Sequence, residues 1–262
     1  MNIKQITNFL ESYAPLEYQE SYDNCGLIIG DANAEVKGAL ITLDCTEAII
    51  DEAIETGCNL VIAHHPIIFS GLKKLNGSNY IERTVIKAIK NDIAIYAIHT
   101  NLDNVHNGVS AKIAEKLGLE NCKVLLPKED LNINLVGSGS IGELNLPVDA
   151  QVFIENLKLN MQTDCVRHTP LVKQQIKTVA VCGGSGSFLL KHAIAAKADI
   201  FITADFKYHE FFDAENKIVI ADIGHYESEQ FTKDLIYDLL VKNFTKFAVR
   251  LSKVNTNPIK YL

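Results

Sequence analysis

Leu60-Val61-Ile62-Ala63 runs directly into His64-His65-Pro66, and no other stretch restricts the possible folds so tightly. Four consecutive apolar residues without in–out alternation match a strand covered on both faces, as in the parallel sheets of α/β proteins. Pro66 has no amide N–H to give to a sheet and keeps His65 out of the helical region, so the strand stops there. Two imidazoles then stand at the carboxyl end of a buried strand, the edge at which open α/β sheets place their ligands. On this stretch alone, two readings stand: a pair of metal ligands, or two polar residues that mark a strand end.

The rest of the chain alternates strand and helix patterns around this point. Ile3, Ile6, Phe9, Leu10 and Tyr13 have helical spacing, closed by Pro15. Gly26–Gly30 and Ala39–Leu43 read as strands, and Thr46 and Gly57 as the N- and C-terminal caps of the helix between them and Leu60. Ser78 is the expected cap of a helix burying Ile81, Val85, Ile86 and Ile89. Ile93–Ile98 is a further strand, ending in His99-Thr100-Asn101-Leu102-Asp103-Asn104, and a helix from about Gly108 stops at Gly118. Asn134–Glu143 reads as a strand and Val148–Leu159 as an amphipathic helix. The alternation then restarts in register. A shift of 140 places Leu60-Val61-Ile62 on Ile200-Phe201-Ile202, and a shift of 125 places Ile93-Ala94-Ile95 on Ile218-Val219-Ile220. A duplicated α/β unit is the expectation, with strand ends from both halves able to meet at one site.

Composition excludes several function classes. The 262 residues are 47% hydrophobic and 22% charged, enough for a full core. The net charge of −7 disfavours a phosphate-tracking surface for nucleic acid. Six cysteines without a CxxC pair read as small core residues of a reduced, cytoplasmic protein. No apolar run approaches membrane-spanning length, and Met1 leads into a polar amphipathic segment, so a soluble cytoplasmic protein without a membrane partner is expected.

Three further motifs bear on chemistry. Gly137-Ser138-Gly139-Ser140-Ile141-Gly142 has dinucleotide-binding spacing, but Pro147 follows where a helix would have to run, so the glycines are read as strand bulges or a turn. Cys182-Gly183-Gly184-Ser185-Gly186 follows a strand and precedes a helix pattern. Gly183, Gly184, Ser185 and Gly186 either cradle a phosphate with backbone N–H groups or permit close packing. In Asp222-Ile223-Gly224-His225-Tyr226-Glu227-Ser228-Glu229, a helix from His225 puts His225 and Glu229 one turn apart on one face, with Glu227 pointing to solvent. Together His64, His65, Asp103, His225 and Glu229 offer three imidazoles and two carboxylates. That set suits two divalent ions (Zn, Fe or Mn) about 3–4 Å apart.

These motifs resemble the Nif-three-like dinuclear-metal family, the GTP cyclohydrolase 1 type 2 homologues. The resemblance is carried by Tyr22-Asp23-Asn24 to Leu27, His64-His65-Pro66, His99-Thr100-Asn101-Leu102-Asp103, Cys182 to Gly186, Thr203-Ala204-Asp205 with Lys207-Tyr208-His209, and Asp222 to Glu229. It implies two similar, interlinked α/β domains with mixed sheets flanked by helices. Residues 1–128 plus 236–262 would form the first, residues 129–235 the second, with the metal site between them. It also implies the five ligands named above and a ring-shaped homo-hexamer. Tyr22 stands where the family usually has Trp, and Ala204 where it usually has Gly, which bears on the turn at Asp205. The activity implied is that of a metal-dependent hydrolase acting on a nucleotide or another phosphorylated small molecule, by attack of water on a purine ring carbon or on phosphorus. Asp205 and His209 are the candidate acid or base. A non-enzymatic metal-binding or protein-interaction role is the alternative.

Overall fold

The computed structural model describes residues 1–128 and 136–262. They divide into two units, the first Met1–Leu102 with Thr232–Pro258, the second Asp103–Phe231 with Ile259–Leu262.

In unit 1, helix α1 (Ile3–Tyr13) starts at Asn2, whose side chain accepts the Gln5 N–H while the Gln5 side chain accepts that of Asn2. Strands β1 (Gly26–Ile29), β2 (Gly38–Thr42), β3 (Leu60–Ala63), β4 (Ala94–Ala97) and the late β11 (Ala248–Leu251) form one sheet in the order β1-β4-β3-β2-β11. All neighbours run parallel except β1, which is antiparallel to β4. The central strand is the one the sequence singles out, and Leu60, Val61, Ile62 and Ala63 are fully buried. Helix α2 (Glu47–Thr56) has the expected ends: the Thr46 hydroxyl accepts the Ile49 N–H, and Gly57 takes the left-handed conformation at φ 70°. Helix α3 (Tyr80–Lys90) corrects the reading by one residue. Its cap is Asn79, which accepts the Glu82 N–H at 3.0 Å, whereas the Ser78 hydroxyl donates to Glu82 Oε1. Its buried side follows Ile81, Val85 and Ala88, and Ile89, one position beyond that stripe, is exposed.

Unit 2 holds a six-stranded mixed sheet of β5 (Glu120–Pro127), β6 (Gly137–Asp149), β7 (Arg167–His168), β8 (Gln175–Ser185), β9 (Ile200–Ala204) and β10 (Val219–Asp222), ordered β5-β6-β8-β9-β10-β7. Only β8, β9 and β10 are mutually parallel. They begin as the offsets of 140 and 125 require, since β9 starts at Ile200 against Leu60 and β10 at Val219 against Ala94. The Gly137–Gly142 segment lies inside β6, with Gly137 and Gly139 at φ 154° and 69°, so the rejected dinucleotide fingerprint is strand. Asn134 and Leu135 of that expected strand lie outside the described residues. Helix α6 runs from Ala150 to Met161 rather than from Val148, because Val148 is still paired with Ile176 and Asp149 caps the helix by accepting the Gln151 and Val152 N–H groups. Helix α5 (Val109–Lys116) and α6 cover one face of the sheet, burying Ile113, Phe153, Leu157, Val179, Val181 and Ile202. Among the described residues no helix is long and apolar enough to cross a membrane.

Candidate metal-binding site

Each unit carries its own set of donors at the carboxyl ends of its parallel strands. In unit 1 the set is built on β3 and β4. The strands run parallel in register, Ala63 opposite Ala97, so the residues that follow them emerge side by side. His64 and His65 follow β3 and His99 follows β4, and their ring centroids lie 4.9–5.3 Å apart. One ring nitrogen of each comes within 4.8 Å of the others. His64 is buried, and His65 and His99 are partly so.

Their hydrogen bonds settle which nitrogen is which. His64 Nδ1 lies 2.8 Å from the Ile98 carbonyl, His65 Nδ1 2.8 Å from Asp44 Oδ1, and His99 Nδ1 2.8 Å from Asp23 Oδ1. A carbonyl or carboxylate oxygen accepts, so Nδ1 donates in each ring and a neutral imidazole carries its lone pair on Nε2. Asp23 is itself saturated, taking the Asn24 N–H, the Thr100 N–H, the Thr100 hydroxyl and the Cys25 thiol. Burial works to raise its pKa, but the His99 and Thr100 donors prevail and hold the carboxyl far below the usual range. Burial pushes the Cys25 thiol beside it up to about 12, so it stays protonated.

In unit 2 the donors come from short helix α8 (His225–Glu229), which begins after Gly224 at φ 91°. His225 Nε2 lies 3.1 Å from Glu229 Oε2, the i,i+4 contact that the spacing implies, and His225 Nδ1 lies 2.6 Å from Asp205 Oδ2. Burial alone would lower the His225 pKa, yet the charge of Glu229 and the bonds to Asp205 and Glu229 push it up to about 11. The His225 bond in turn lowers the Asp205 carboxyl. Glu229 is 3% exposed. Asp103, half-buried, opens the unit at the end of α4 (Thr100–Asp103). Burial raises the Cys182 thiol, and the nearby charges of Asp103 and Glu229 raise it further. Glu227 corrects the sequence reading: it is 7% exposed rather than solvated.

The glycine segment sits inside β8, against these donors. A Cβ on Gly183 would lie 2.6 Å from Val109 and 3.3 Å from Glu229, and one on Gly184 would overlap Glu229 Oε1. The Gly184 N–H is given to the Ser228 hydroxyl at 2.9 Å, and the Gly184 carbonyl accepts from Thr203. The turn at Asp205 is made by Asp205 itself, at φ 60°, while Ala204 is the last residue of β9 and is paired with Ser185. Alanine in place of glycine there carries no strain. His209 is exposed, its ring 5.1 Å from Tyr208. Tyr22 is exposed, with its ring 6.1 Å from Phe69.

The structure also adds residues that the spacing does not single out. His99 joins the unit 1 donors, and Asp44 and Asp23 orient rings. The sequence signals for His99 are its place after a strand, like His64, and its place at the head of the His99–Asp103 motif that carries the family resemblance.

Fold and donors define the class: an α/β protein of two mixed-sheet units whose histidines and carboxylates include groups that could hold a metal ion. The Duf34/NIF3 (NGG1p interacting factor 3) model matches residues 1–258, so the chain belongs to that family. A "GTP cyclohydrolase 1 type 2 homolog" of Clostridium acetobutylicum is 33% identical over 230 residues, covering 87% of this chain and 85% of the relative. Among solved structures, a hypothetical protein of Staphylococcus aureus superposes with a TM-score of 0.92 at 30% identity, covering 100% of this chain and 99% of that one. A Bacillus cereus protein related to NIF3 gives 0.91 at 25% identity with the same coverage.

Proposed function

We propose that the protein is a dinuclear metal-dependent hydrolase acting on a nucleotide or another phosphorylated small molecule. His64, His65, Asp103, His225 and Glu229 hold two divalent ions of Zn, Fe or Mn. The observation that carries this reading is the orientation of the rings. His64, His65 and His225 each turn Nδ1 to a carbonyl or carboxylate oxygen, the arrangement that fixes metal-ligating histidines elsewhere. A donor set of imidazole and carboxylate without thiolate suits these three metals. When bound, divalent ions polarise a substrate oxygen and activate water at neutral pH.

The chain's own residues have separable tasks. Asp44 and Asp205 position His65 and His225, and Gly183 and Gly184 leave the space that Glu229 fills. Asp205 thus acts through His225, and His209 is the proton carrier offered by the same turn. By resemblance the working particle is a homo-hexamer, and the names of the relatives point to a guanine nucleotide as the first substrate to try.

The test pairs elemental analysis with turnover of a nucleotide and phosphoester panel by metal-loaded protein. Glu229→Ala should lose at least one ion with the fold intact, and His65→Ala should lose turnover. Equal metal content in wild type and Glu229→Ala would remove Glu229 from the ligand set. Turnover unchanged in His65→Ala would sink the hydrolase reading, and metal binding without any turnover would favour the non-enzymatic role.

A further inference from the structure

Unit 2 has a concave site made of residues outside the donor sets. A cavity of about 400 Å³ lies between Arg167 and His168 of edge strand β7, Pro170, and the turn carrying Tyr208, Phe211 and Phe212. That volume falls in the range of small-molecule sites, which combine apolar walls with a few polar groups. Tyr208 and Phe212 pack edge-on at 5.6 Å and yet are largely exposed, at 74% and 66%. Two large rings left in water at the rim of a cavity are available to stack on a third.

The polar group is Arg167. Its guanidinium lies over the Phe211 ring, 5.4 Å from the centroid, while its Nη2 donates to the Phe206 carbonyl and to Asp222. Both protein acceptors use one nitrogen of a five-donor fork, so donors are left for an incoming anion. Asp222 offsets part of the cationic charge, so the aromatic walls must supply much of the affinity. A second cavity of about 280 Å³, sharing Pro170, Phe211 and Phe212, continues away from Arg167 to Glu215. With Glu215 at that end, an acidic group fits at the Arg167 end and a ring over Phe211 and Phe212.

We infer that this pocket binds a planar aromatic heterocycle bearing an anionic group, the chemistry of a nucleoside monophosphate. Its role as a substrate subsite rests on the proposed function, whereas its binding does not. Asp222 ties the two together: one oxygen holds Arg167, and the other accepts the Gly224 N–H that precedes His225. The pocket therefore adjoins the unit 2 donors.

The experiment is calorimetric titration of the full chain with GMP, guanosine and ribose 5-phosphate, with and without EDTA. GMP should bind in both conditions and more tightly than either fragment. Phe212→Ala and Tyr208→Ala, at exposed positions that the fold does not need, should each weaken GMP about tenfold with metal content unchanged, as expected for loss of one stacking face. Arg167→Lys should erase the preference for GMP over guanosine. The proposal falls if GMP binds both aromatic variants as it binds wild type, if it binds only metal-loaded protein, or if ribose 5-phosphate binds equally well. Phe212-dependent GMP binding in a protein that turns over neither nucleotides nor the phosphoester panel would keep the pocket and overturn the hydrolase.

Discussion

At the scale of single residues, the candidate site is a set of imidazoles whose far side is held by oxygen. Asp23 shows how much that can cost to disturb. Its side chain is fully buried and accepts from four residues, and asparagine in its place would keep the shape but lose the charge that gathers those donors. Asp23→Asn is expected to destabilise the protein by about 1–3 kcal/mol at neutral pH. The carboxyl is depressed in the folded state, so its contribution is complete above the unfolded value of about 4 and fades as the pH falls below it. Denaturant titrations of both proteins should therefore differ at pH 7 and converge in acid, and a constant gap would assign the effect to packing instead. The sequence makes some of this site legible and hides the rest for a physical reason. His64-His65 are neighbours in the chain and His225 and Glu229 are one helical turn apart, so local geometry places them. Asp44 and Asp23 reach their histidines across 21 and 76 residues, and only the fold brings them there.

At the scale of elements, strand β8 is unusual in carrying glycine where a parallel strand normally packs side chains. Gly184 sits at φ 61°, and any Cβ there would overlap Glu229. Gly184→Ala is expected to cost at least about 1–2 kcal/mol from conformation alone and to displace Glu229, lowering metal content. Unchanged metal in elemental analysis would show that α8 can retreat. Reading Cys182–Gly186 by pattern leaves phosphate binding and close packing open, because both demand glycine after a strand. The neighbour that decides, Glu229, is 45 positions away from Gly184 by number and is supplied by another element. Glu227 misled for the opposite reason: helical phase predicts an exposed side chain, but its carboxylate lies back against Gly224, where an added Cβ would overlap it and stand 3.3 Å from the Tyr261 hydroxyl. Buried parallel strands such as β3 and β9, by contrast, are nearly continuous apolar runs, and these were readable to within a residue.

At the scale of the molecule, the reading of two α/β units with mixed sheets matches what is found. The assembly is the whole-molecule expectation still to be measured: light scattering on purified protein should give a particle of six chains, and a monomer at micromolar concentration would refute it. The chain path has a consequence of its own. It leaves unit 1 at Leu102, builds nearly all of unit 2, and only then returns to add β11 beside β2. During synthesis, β2 must therefore wait with an open edge while some 200 residues are made, about 10–40 s at about 5–20 residues per second. An unpaired edge of fully buried character is a template for wrong pairing. The order of translation thus gives the newborn chain a vulnerable interval that the finished protein does not have.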